Sequence, residues 1–315
     1  MLKYILKRIL WLIPVLLGVT VIVFTLLYFA PGDPALMALG DTATEEALDR
    51  YREELGINGS YLERLGRYVL GMVQGDLGIS FKTKTPVVSE LAPRLAKTMN
   101  ISLWSIIFSI VIGILLGIIS AIKQYSVFDA VATGISLFGI SMPMFWQGLM
   151  LILLCSVWLN WLPPSGYGSF KQMIMPVLAL GVNGFATIMR TTRSSMLDVM
   201  NQDYIRTAKA KGQTYWNVIL KHGLRNALIP IITVIGMQIS VLLAGSTIAE
   251  SIFSIAGVGK YMIDSINFRD YNAVQGAVLM VSFIAALINL FVDIAYTFAD
   301  PRIKNTFVGK KKKKS

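Results

Sequence analysis

The chain has 315 residues, of which 55% are hydrophobic and only 15% are charged. Charged residues usually make up about a quarter of a soluble domain, so this composition excludes a pair of soluble domains. The formal net charge of +11 would suit a nucleic-acid-binding protein, but the basic residues are sorted between loops as in membrane proteins, which excludes nucleic acid and indicates membrane lipid as the surroundings.

Six apolar stretches are each long enough to form a membrane-spanning helix, since about 30 Å of hydrocarbon takes roughly 20 helical residues. The first stretch follows Lys3, Lys7 and Arg8, and its apolar run is too long for a secretory signal, so we interpret it as a retained anchor. The sequence therefore predicts an all-α, polytopic membrane protein with spans near 9–30, 101–122, 134–160, 173–190, 229–249 and 277–299.

The placement of lysine and arginine predicts which segments face the cytoplasm. With the N-terminus inside, the inner segments carry 18 of the 29 basic residues. Because an excess of basic residues marks cytoplasmic segments, both termini are predicted to be cytoplasmic. The predicted organisation is a terminus with the first span (1–30), an extracytoplasmic helical loop (31–100), a transmembrane core (101–300) with a cytoplasmic loop at 191–228, and a basic tail (301–315).

The outer loop carries helix signals of its own. Thr44 is a predicted N-cap, and the following helix is predicted to stop at Gly56. Ser60 and Glu63 have the spacing of a capping box. Thr85 and Pro86 are predicted as N-cap and first residue of a third helix, which Pro93 should bend or break. The loop is either a compact lid or a contact surface for a delivery protein, and the sequence leaves both open.

Polar residues inside the spans are few. Ser141-Met142-Pro143 interrupts the third span and predicts a kink, because proline removes a helical hydrogen bond. Gln147, Asn183 and Gln238 are candidates either for lining a path or for bonding between helices.

A polar stripe runs along the last span, where Asn289, Asp293, Tyr296 and Asp300 recur at helical spacing. Asp293 should face the bundle or a wet cavity, because a carboxylate in hydrocarbon is costly. A structural partner and a substrate contact both remain open for Asp293. The five lysines at 310–314 are either a topological anchor or a contact for anionic headgroups.

The sequence offers no catalytic, metal or cofactor site, so we predict that the chain is not an enzyme. Cys155 lies in an apolar run and is interpreted as inert packing, and His222 has no metal-binding partner nearby. GVGK at 257–260 is not a phosphate-binding loop, because Ser254 stands where the motif needs glycine and Tyr261 where it needs serine or threonine.

The segment 201–230 is the one sizeable cytoplasmic feature of the predicted topology. Asp203 is the predicted cap of a helix that Gly212 stops in a left-handed conformation. Thr214 is the predicted cap of a second short helix, and Pro230 the entry to the next span. A solvated basic loop is the simpler interpretation, and a docking element for another protein is the functional one.

Ala208 followed by Gly212, in a loop before the penultimate span, resembles the EAA motif of ABC-importer permeases. Further pieces resemble the dipeptide/oligopeptide/nickel branch of that family: MLKYILKRIL at the start, PGDPA (31–35), GDLGISF (75–81), DYIRTAKAKG with LRNALIP, AESIFSIAGVGK (249–260), RDYNAVQGAVL (269–279) and ADPRIK (299–304). The resemblance covers nearly the whole chain. Arg206 and Thr207 depart from it, since they stand where the broad motif has Glu and Ala.

The resemblance implies a type I ABC importer permease fold in the plasma or inner membrane, without a cofactor. It implies a second homologous permease as heterodimer partner, two cytoplasmic ATP-binding subunits and an extracytoplasmic substrate-binding protein. The implied ATPase-coupling residues are Asp203, Tyr204, Arg206, Thr207, Ala208, Lys211 and Gly212. Peptides are the implied cargo. The alternatives are nickel or a metal chelate, and a self-sufficient channel or secondary carrier.

Overall fold

The computed structural model describes residues 2–40 and 42–299, with the side chains of 2–5, 37, 38, 293 and 295–299 outside its description. The lysine tail, Asp300 and the side chains of Asp293 and Tyr296 therefore lie outside the described part. In the described ranges the regular secondary structure is helical, beside one isolated bridge between Ile79 and Pro86. The all-α prediction is confirmed.

The described helices follow one another in this order: α1 Leu2–Tyr28, α2 Pro34–Leu39, α3 Glu45–Glu54, α4 Tyr61–Val73, α5 Val87–Ile122, α6 Val127–Ser141, α7 Met144–Leu151, α8 Phe170–Met200, α9 Asp203–Ala210, α10 Tyr215–Asn217, α11 Arg225–Ile252, α12 Val258–Asn267 and α13 Tyr271–Ala299. Two π-helical segments, Ile152–Trp158 and Val218–Leu224, extend α7 and link α10 to α11.

Five helical stretches of the described chain are long and apolar enough to cross a membrane, and a sixth crossing exists if a bent helix pair counts as one. That pair is α6 with the stretch Met144–Trp158, and the two parts meet at 109°. The kink predicted at 141–143 is therefore a complete break in the helix.

The break is stabilised by a side chain of the span itself. Met142 is extended (φ −84°, ψ 131°), as expected of a residue before proline, and α7 starts directly after Pro143. Nε2 of the buried Gln147 donates to the carbonyl oxygens of Gly139 (2.8 Å) and Met142 (2.9 Å). Gln147 thus satisfies carbonyls that the interrupted helix leaves without donors, which is a bonding role between α6 and α7. A place for Gln147 along a path stays a prediction.

The chain forms two compact units, one of Met1–Met99 and Ser254–Leu287, the other of Asn100–Phe253 and Ile288–Ser315. Apolar residues of α5, α12, α13 and the 74–86 segment form the core of the first unit: Leu77, Val87, Leu91, Val258, Tyr261, Ala273, Ala277 and Leu279. Residues 254–287 therefore group with the first hundred residues, a pairing that no local sequence pattern indicates.

Two helix starts in the first unit are capped as predicted. The Thr44 Oγ1 accepts from the Ala47 amide at 3.3 Å, and the Ser60 amide donates to Glu63 Oε2 at 2.9 Å. These bonds satisfy amides that helix geometry leaves without partners. Both signals are local, which is why the sequence alone was sufficient to place α3 and α4.

The predicted third loop helix is not separate from the second span. A single helix, α5, begins at Val87 and continues through Pro93 to Ile122 without a break, so Thr85 and Pro86 precede it rather than start it. One proline removes one helical hydrogen bond, and the turns of α5 before Pro93 are held by Val87 and Leu91, which are fully buried in the core of the first unit. Of the two predicted effects of Pro93, a break is therefore wrong, and a bend stays a prediction.

Asp33 holds together the first helices of the extracytoplasmic loop. Its Oδ1 accepts from the Ala35 amide at 2.9 Å, and its Oδ2 accepts from Arg52 Nη2 at 2.5 Å, so the carboxylate caps α2 and ties it to α3. Burial would raise the pKa of Asp33, but the hydrogen bonds from Arg52 and Ala35 outweigh it and hold that pKa below the ordinary value.

Helix α8 is the centre of the second unit, with α6, α7 and α11 packed against it. It also approaches α5 closely at Gly117. A Cβ atom there would lie 2.6 Å from the Thr192 Cβ and 2.7 Å from the Met189 carbonyl oxygen. Small residues permit such close packing of membrane helices, where dispersion replaces the hydrophobic effect as the attraction.

Candidate functional site

Helix α9 starts directly after α8, with only Asn201 and Gln202 between them. The N-cap is Gln202, in an extended conformation, and Asp203 occupies the first helical position. The prediction that Asp203 is the cap is therefore wrong by one residue. Its carboxylate still lies at the positive end of the helix dipole, and Arg206 Nη1 approaches it at 3.8 Å on the exposed surface.

The other end of α9 is closed by the predicted glycine. Gly212 has φ +75°, its amide donates to the Lys209 carbonyl at 3.0 Å, and the Gln213 amide donates to the Ala208 carbonyl at 3.3 Å. This pair of bonds is a Schellman motif, in which a left-handed residue ends the helix and satisfies its last carbonyls. The predicted helix stop at Gly212 is confirmed.

One side of α9 is buried within the second unit. Ile205 (1% exposed) and Ala208 (7% exposed) cluster with Val218, and Val199 and Met200 pack against them. Ala208 is the one implied coupling residue that is buried in the described chain, and its small side chain lets α9 approach the π-helical segment that follows it.

The other side of α9 is open to solvent. Among the seven predicted coupling residues, the six besides Ala208 are exposed: Asp203, Tyr204, Arg206, Thr207, Lys211 and Gly212. We call the exposed residues Asp203, Arg206, Thr207 and Ala210 the open face, because their helical positions are opposite Ile205 and Ala208. A short helix fixed by one buried side and open on the other can transmit a push from a bound partner.

The second short helix predicted in this loop is part of a longer one. Thr214 precedes α10 as expected, but the helix continues from Tyr215 through the π-helical segment to Ile252, over 38 residues. Pro230 lies inside α11, not at its entry, and His222 lies in the π-helical segment rather than in a loop. Any displacement of α10 therefore acts directly on a membrane-spanning helix.

Two aromatic residues of α10 are exposed, and the sequence analysis did not place them in the site. Tyr215 is 56% and Trp216 63% exposed, and their rings meet edge to face at 5.8 Å. Tyrosine and tryptophan dominate the energetics of many protein interfaces. Their position three and four residues after the helix stop at Gly212 is the sequence signal that could have identified them as part of the site.

The sequence analysis also missed a buried ion pair, because Asp129 and Arg193 lie 64 residues apart in two segments that were predicted as loops between the spans. Asp129 Oδ1 and Oδ2 accept from Arg193 Nε (2.6 Å) and Nη2 (2.7 Å), and the Asp129 side chain is 6% exposed. Ser120 Oγ and the Tyr125 amide also donate to this carboxylate. The network connects α5, the turn after it, α6 and α8 within the second unit.

The predicted polar residues of the spans are not brought together into one site in the described part of the chain. Gln147 bonds at the helix break, and Asn183 and Gln238 are each half-buried on α8 and α11. Asn289 Oδ1 accepts from Ser240 Oγ at 2.9 Å, so one member of the polar stripe bonds between helices. The side chain of Asp293 lies outside the described part.

The described residues contain no cluster of three or more His, Cys, Asp or Glu that could hold a metal ion. GVGK at 257–260 opens α12, and the Val258 amide donates to the buried Thr98 Oγ1 at 2.9 Å. An amide already bonded within the protein is not available to a phosphate.

Comparison with known proteins identifies two matching family models. Residues 113–305 match the family described as binding-protein-dependent transport system inner membrane component, and residues 1–102 match the N-terminal membrane component of such systems.

Similar proteins align over nearly the whole length of the chain. The dipeptide transport system permease protein DppB of Alkalihalophilus pseudofirmus is 42% identical, over 96% of this chain and 100% of its own. DppB of Escherichia coli is 40% identical over 97% and 99%, and the glutathione transport system permease protein GsiC of Escherichia coli is 40% identical over 96% and 99%.

Solved structures share the fold at low identity. A chain of the MetNI methionine ABC transporter in an inward-facing conformation aligns with a TM-score of 0.56 and 18% identity, over 68% of this chain and 97% of its own. At this identity the likeness supports the fold alone.

Proposed function

This chain belongs to the family of binding-protein-dependent transport system inner membrane components, and on that premise we propose that it is the peptide-translocating permease subunit of an ATP-driven importer. The observation that carries the proposal is full-length similarity to permeases whose names specify dipeptide and glutathione transport. The chain itself is a multi-pass membrane protein and a transport component rather than an enzyme.

In the proposed assembly this subunit pairs with a second, homologous permease. Two cytoplasmic ATP-binding subunits supply the energy, and an extracytoplasmic binding protein delivers the cargo. Both termini of the chain are cytoplasmic, which places the loop that contains α9 on the same side as the ATP-binding subunits. Alternating access follows if ATP binding favours one arrangement of the permease pair and ATP hydrolysis the other.

We assign the contact with an ATP-binding subunit to the open face of α9. Ile205 and Ala208 hold the helix against Val218, so a force on the open face moves the π-helical segment and α11 with it. Arg206 is exposed and its only ion pair among the described residues is the 3.8 Å contact with Asp203, which leaves its guanidinium accessible to a partner carboxylate.

The coupling proposal is tested by reversing the charge at Arg206. Arg206→Glu should lower ATP-driven uptake in the reconstituted importer at least about tenfold, because a like-charge contact of about 1.4 kcal/mol changes an equilibrium by that factor. Arg50→Glu, the same change on the exposed surface of α3, is the matched control and should leave uptake within about twofold. Equal uptake by the two variants would remove the open face from the coupling contact.

Arg206 is a sharper probe than the buried alanine of the same helix. Ala208→Glu would place a carboxylate between Ile205 and Val218 and disrupt the loop itself, whether or not a partner binds there. Charge reversal on the exposed side leaves the packing of α9 intact.

Peptides are favoured over nickel or a metal chelate as cargo. The named relatives transport dipeptides and glutathione, and these two cargoes share peptide-bond chemistry and no metal. In the reconstituted complex with its binding protein, dipeptides should stimulate ATP hydrolysis and a nickel chelate should not. Stimulation by the chelate alone would overturn this assignment.

A further inference from the structure

Helix α4, which the sequence analysis placed in the extracytoplasmic loop, lies against the first membrane-spanning helix. The Tyr61 hydroxyl is 2.7 Å from Thr25 Oγ1, and the Tyr61 ring meets the rings of Phe24 and Tyr28 edge to face. Eleven residues further along α4, Met72 Sδ is 3.4 Å from Thr20 Oγ1. Helix α4 therefore runs back along the second half of α1, towards its middle.

The position of Thr20 gives the depth that α4 reaches. Thr20 lies eight residues before the end of α1 at Tyr28, which is about 12 Å along the helix axis at 1.5 Å per residue. Lys7 and Arg8 mark the opposite edge of the span, and roughly 20 apolar residues from Ile9 onward cross the hydrocarbon. The Met72 end of α4 is therefore level with the apolar part of α1.

The side of α4 turned away from α1 is apolar and exposed. Leu62 is 75%, Leu70 65% and Val73 77% exposed, and Gly66 lies between them on the same helix face. Glu63 and Arg67 lie on the neighbouring face, as in a helix that rests at a membrane interface. Over the same stretch, Ile22 (60%) and Leu26 (66%) of α1 are also exposed, so both helices present apolar side chains on their surfaces.

We propose that Leu62, Leu70 and Val73 contact the acyl chains of one membrane leaflet, which makes α4 a membrane-embedded amphipathic helix. The partner of this apolar face is lipid, because α4 packs against the second half of a membrane-spanning helix. Exposed leucine and valine side chains at that depth in the membrane contact hydrocarbon. The inference depends on α1 crossing a membrane and is independent of the cargo and of ATPase coupling. By this proposal α4 is in contact with lipid, in contrast to the charged helix α3 of the same loop.

Fluorescence quenching tests this proposal in the reconstituted importer. In a Cys155→Ala background, which removes the one native cysteine, single cysteines at Leu70 and Val73 carry an environment-sensitive probe, with Arg67→Cys as the control one face away. Phosphatidylcholine with a nitroxide on its acyl chain should quench the probes at Leu70 and Val73 at least about threefold more strongly than the probe at Arg67. Aqueous iodide should show the opposite order.

Strong iodide quenching at Leu70 and Val73 would show that this face is in water and would overturn the proposal. Quenching by neither agent, followed by quenching once the partner permease or the binding protein is omitted, would show a protein contact and would also overturn it. The use of two probe positions keeps the result interpretable if one variant does not assemble.

Discussion

At the scale of single residues, α9 separates the positions that build the loop from those that are free to make contact. Ala208 and Gly212 are the two residues in which this loop resembles the EAA motif. Ala208 packs inside the chain, and Gly212 ends the helix. Arg206 and Thr207, where the sequence departs from the broad motif, are both exposed. Departures at exposed positions leave the architecture of the loop unchanged and alter only the surface that a partner would meet.

The buried Asp129–Arg193 pair yields a prediction at this scale. Asp129→Ala should destabilise the protein by on the order of 3 kcal/mol, because it leaves a partly buried guanidinium without its counter-charge. Adding Arg193→Ala should recover part of that loss, since the uncompensated charge is then removed. Thermal unfolding in detergent measures both effects.

Asp264→Ala is the control for this pair. It removes the carboxylate of the 3.4 Å contact between Lys260 and Asp264, which is more exposed than the carboxylate of Asp129. This change should cost no more than about 1 kcal/mol of stability. Strictly additive losses in the Asp129 and Arg193 variants would show that the two side chains are not energetically coupled.

At the scale of helices, continuity and breaks follow the cost of unsatisfied backbone groups in hydrocarbon. Helix α5 tolerates Pro93 and α11 tolerates Pro230, because each loses one bond. The 109° break after Ser141 persists because Gln147 supplies donors to two carbonyls there. Sequence pattern locates the prolines, but whether a proline breaks a helix depends on the partners available around it.

Close helix packing at Gly117 predicts that alanine substitutions at two glycines change the free energy of unfolding in opposite directions. Gly117→Ala should lower the free energy of unfolding by about 1–3 kcal/mol, because its methyl group would overlap Thr192 and the Met189 carbonyl. Gly134→Ala, on α6 with no atom of another segment within 4 Å of the added Cβ, should raise that energy by roughly 0.5–1 kcal/mol. Thermal unfolding of the two variants, side by side, makes the comparison, and equal shifts would contradict the close approach.

At the scale of the whole molecule, the chain provides a path and a contact surface but requires others for energy and delivery. Family membership implies a system that depends on a binding protein. The GVGK segment opens α12 and its Val258 amide is bonded to Thr98, so it does not supply a nucleotide site. In the proposed coupling, the mechanical work enters through the open face of α9.

Reconstitution in liposomes tests this dependence directly. The chain alone should show no ATP-driven peptide uptake, and addition of the second permease, the ATP-binding subunits and the binding protein should produce it. Uptake by the chain alone would instead favour a self-sufficient channel or carrier. A matched liposome with the other components but without this chain is the control.

The sequence by itself determined the features whose causes lie within a few residues. These are five of the six apolar spans, the caps at Thr44 and Ser60 and the stop at Gly212. The helices of the second and fifth spans begin well before the predicted bounds, and the third predicted span is a bent pair of helices. The identity of the family was also readable from ordered short motifs, and the family models agree with it.

Only the tertiary structure decided which residues are buried and which meet a distant partner. It paired Asp129 with Arg193 across 64 residues, buried Ala208 against Val218, joined α10 to α11 and placed α4 beside α1. Local propensity acts over one or two turns of chain, whereas burial and ion pairing depend on segments that approach each other only after folding. For that reason the spans could be predicted, while the buried ion pair and the lipid-facing edge of α4 could not.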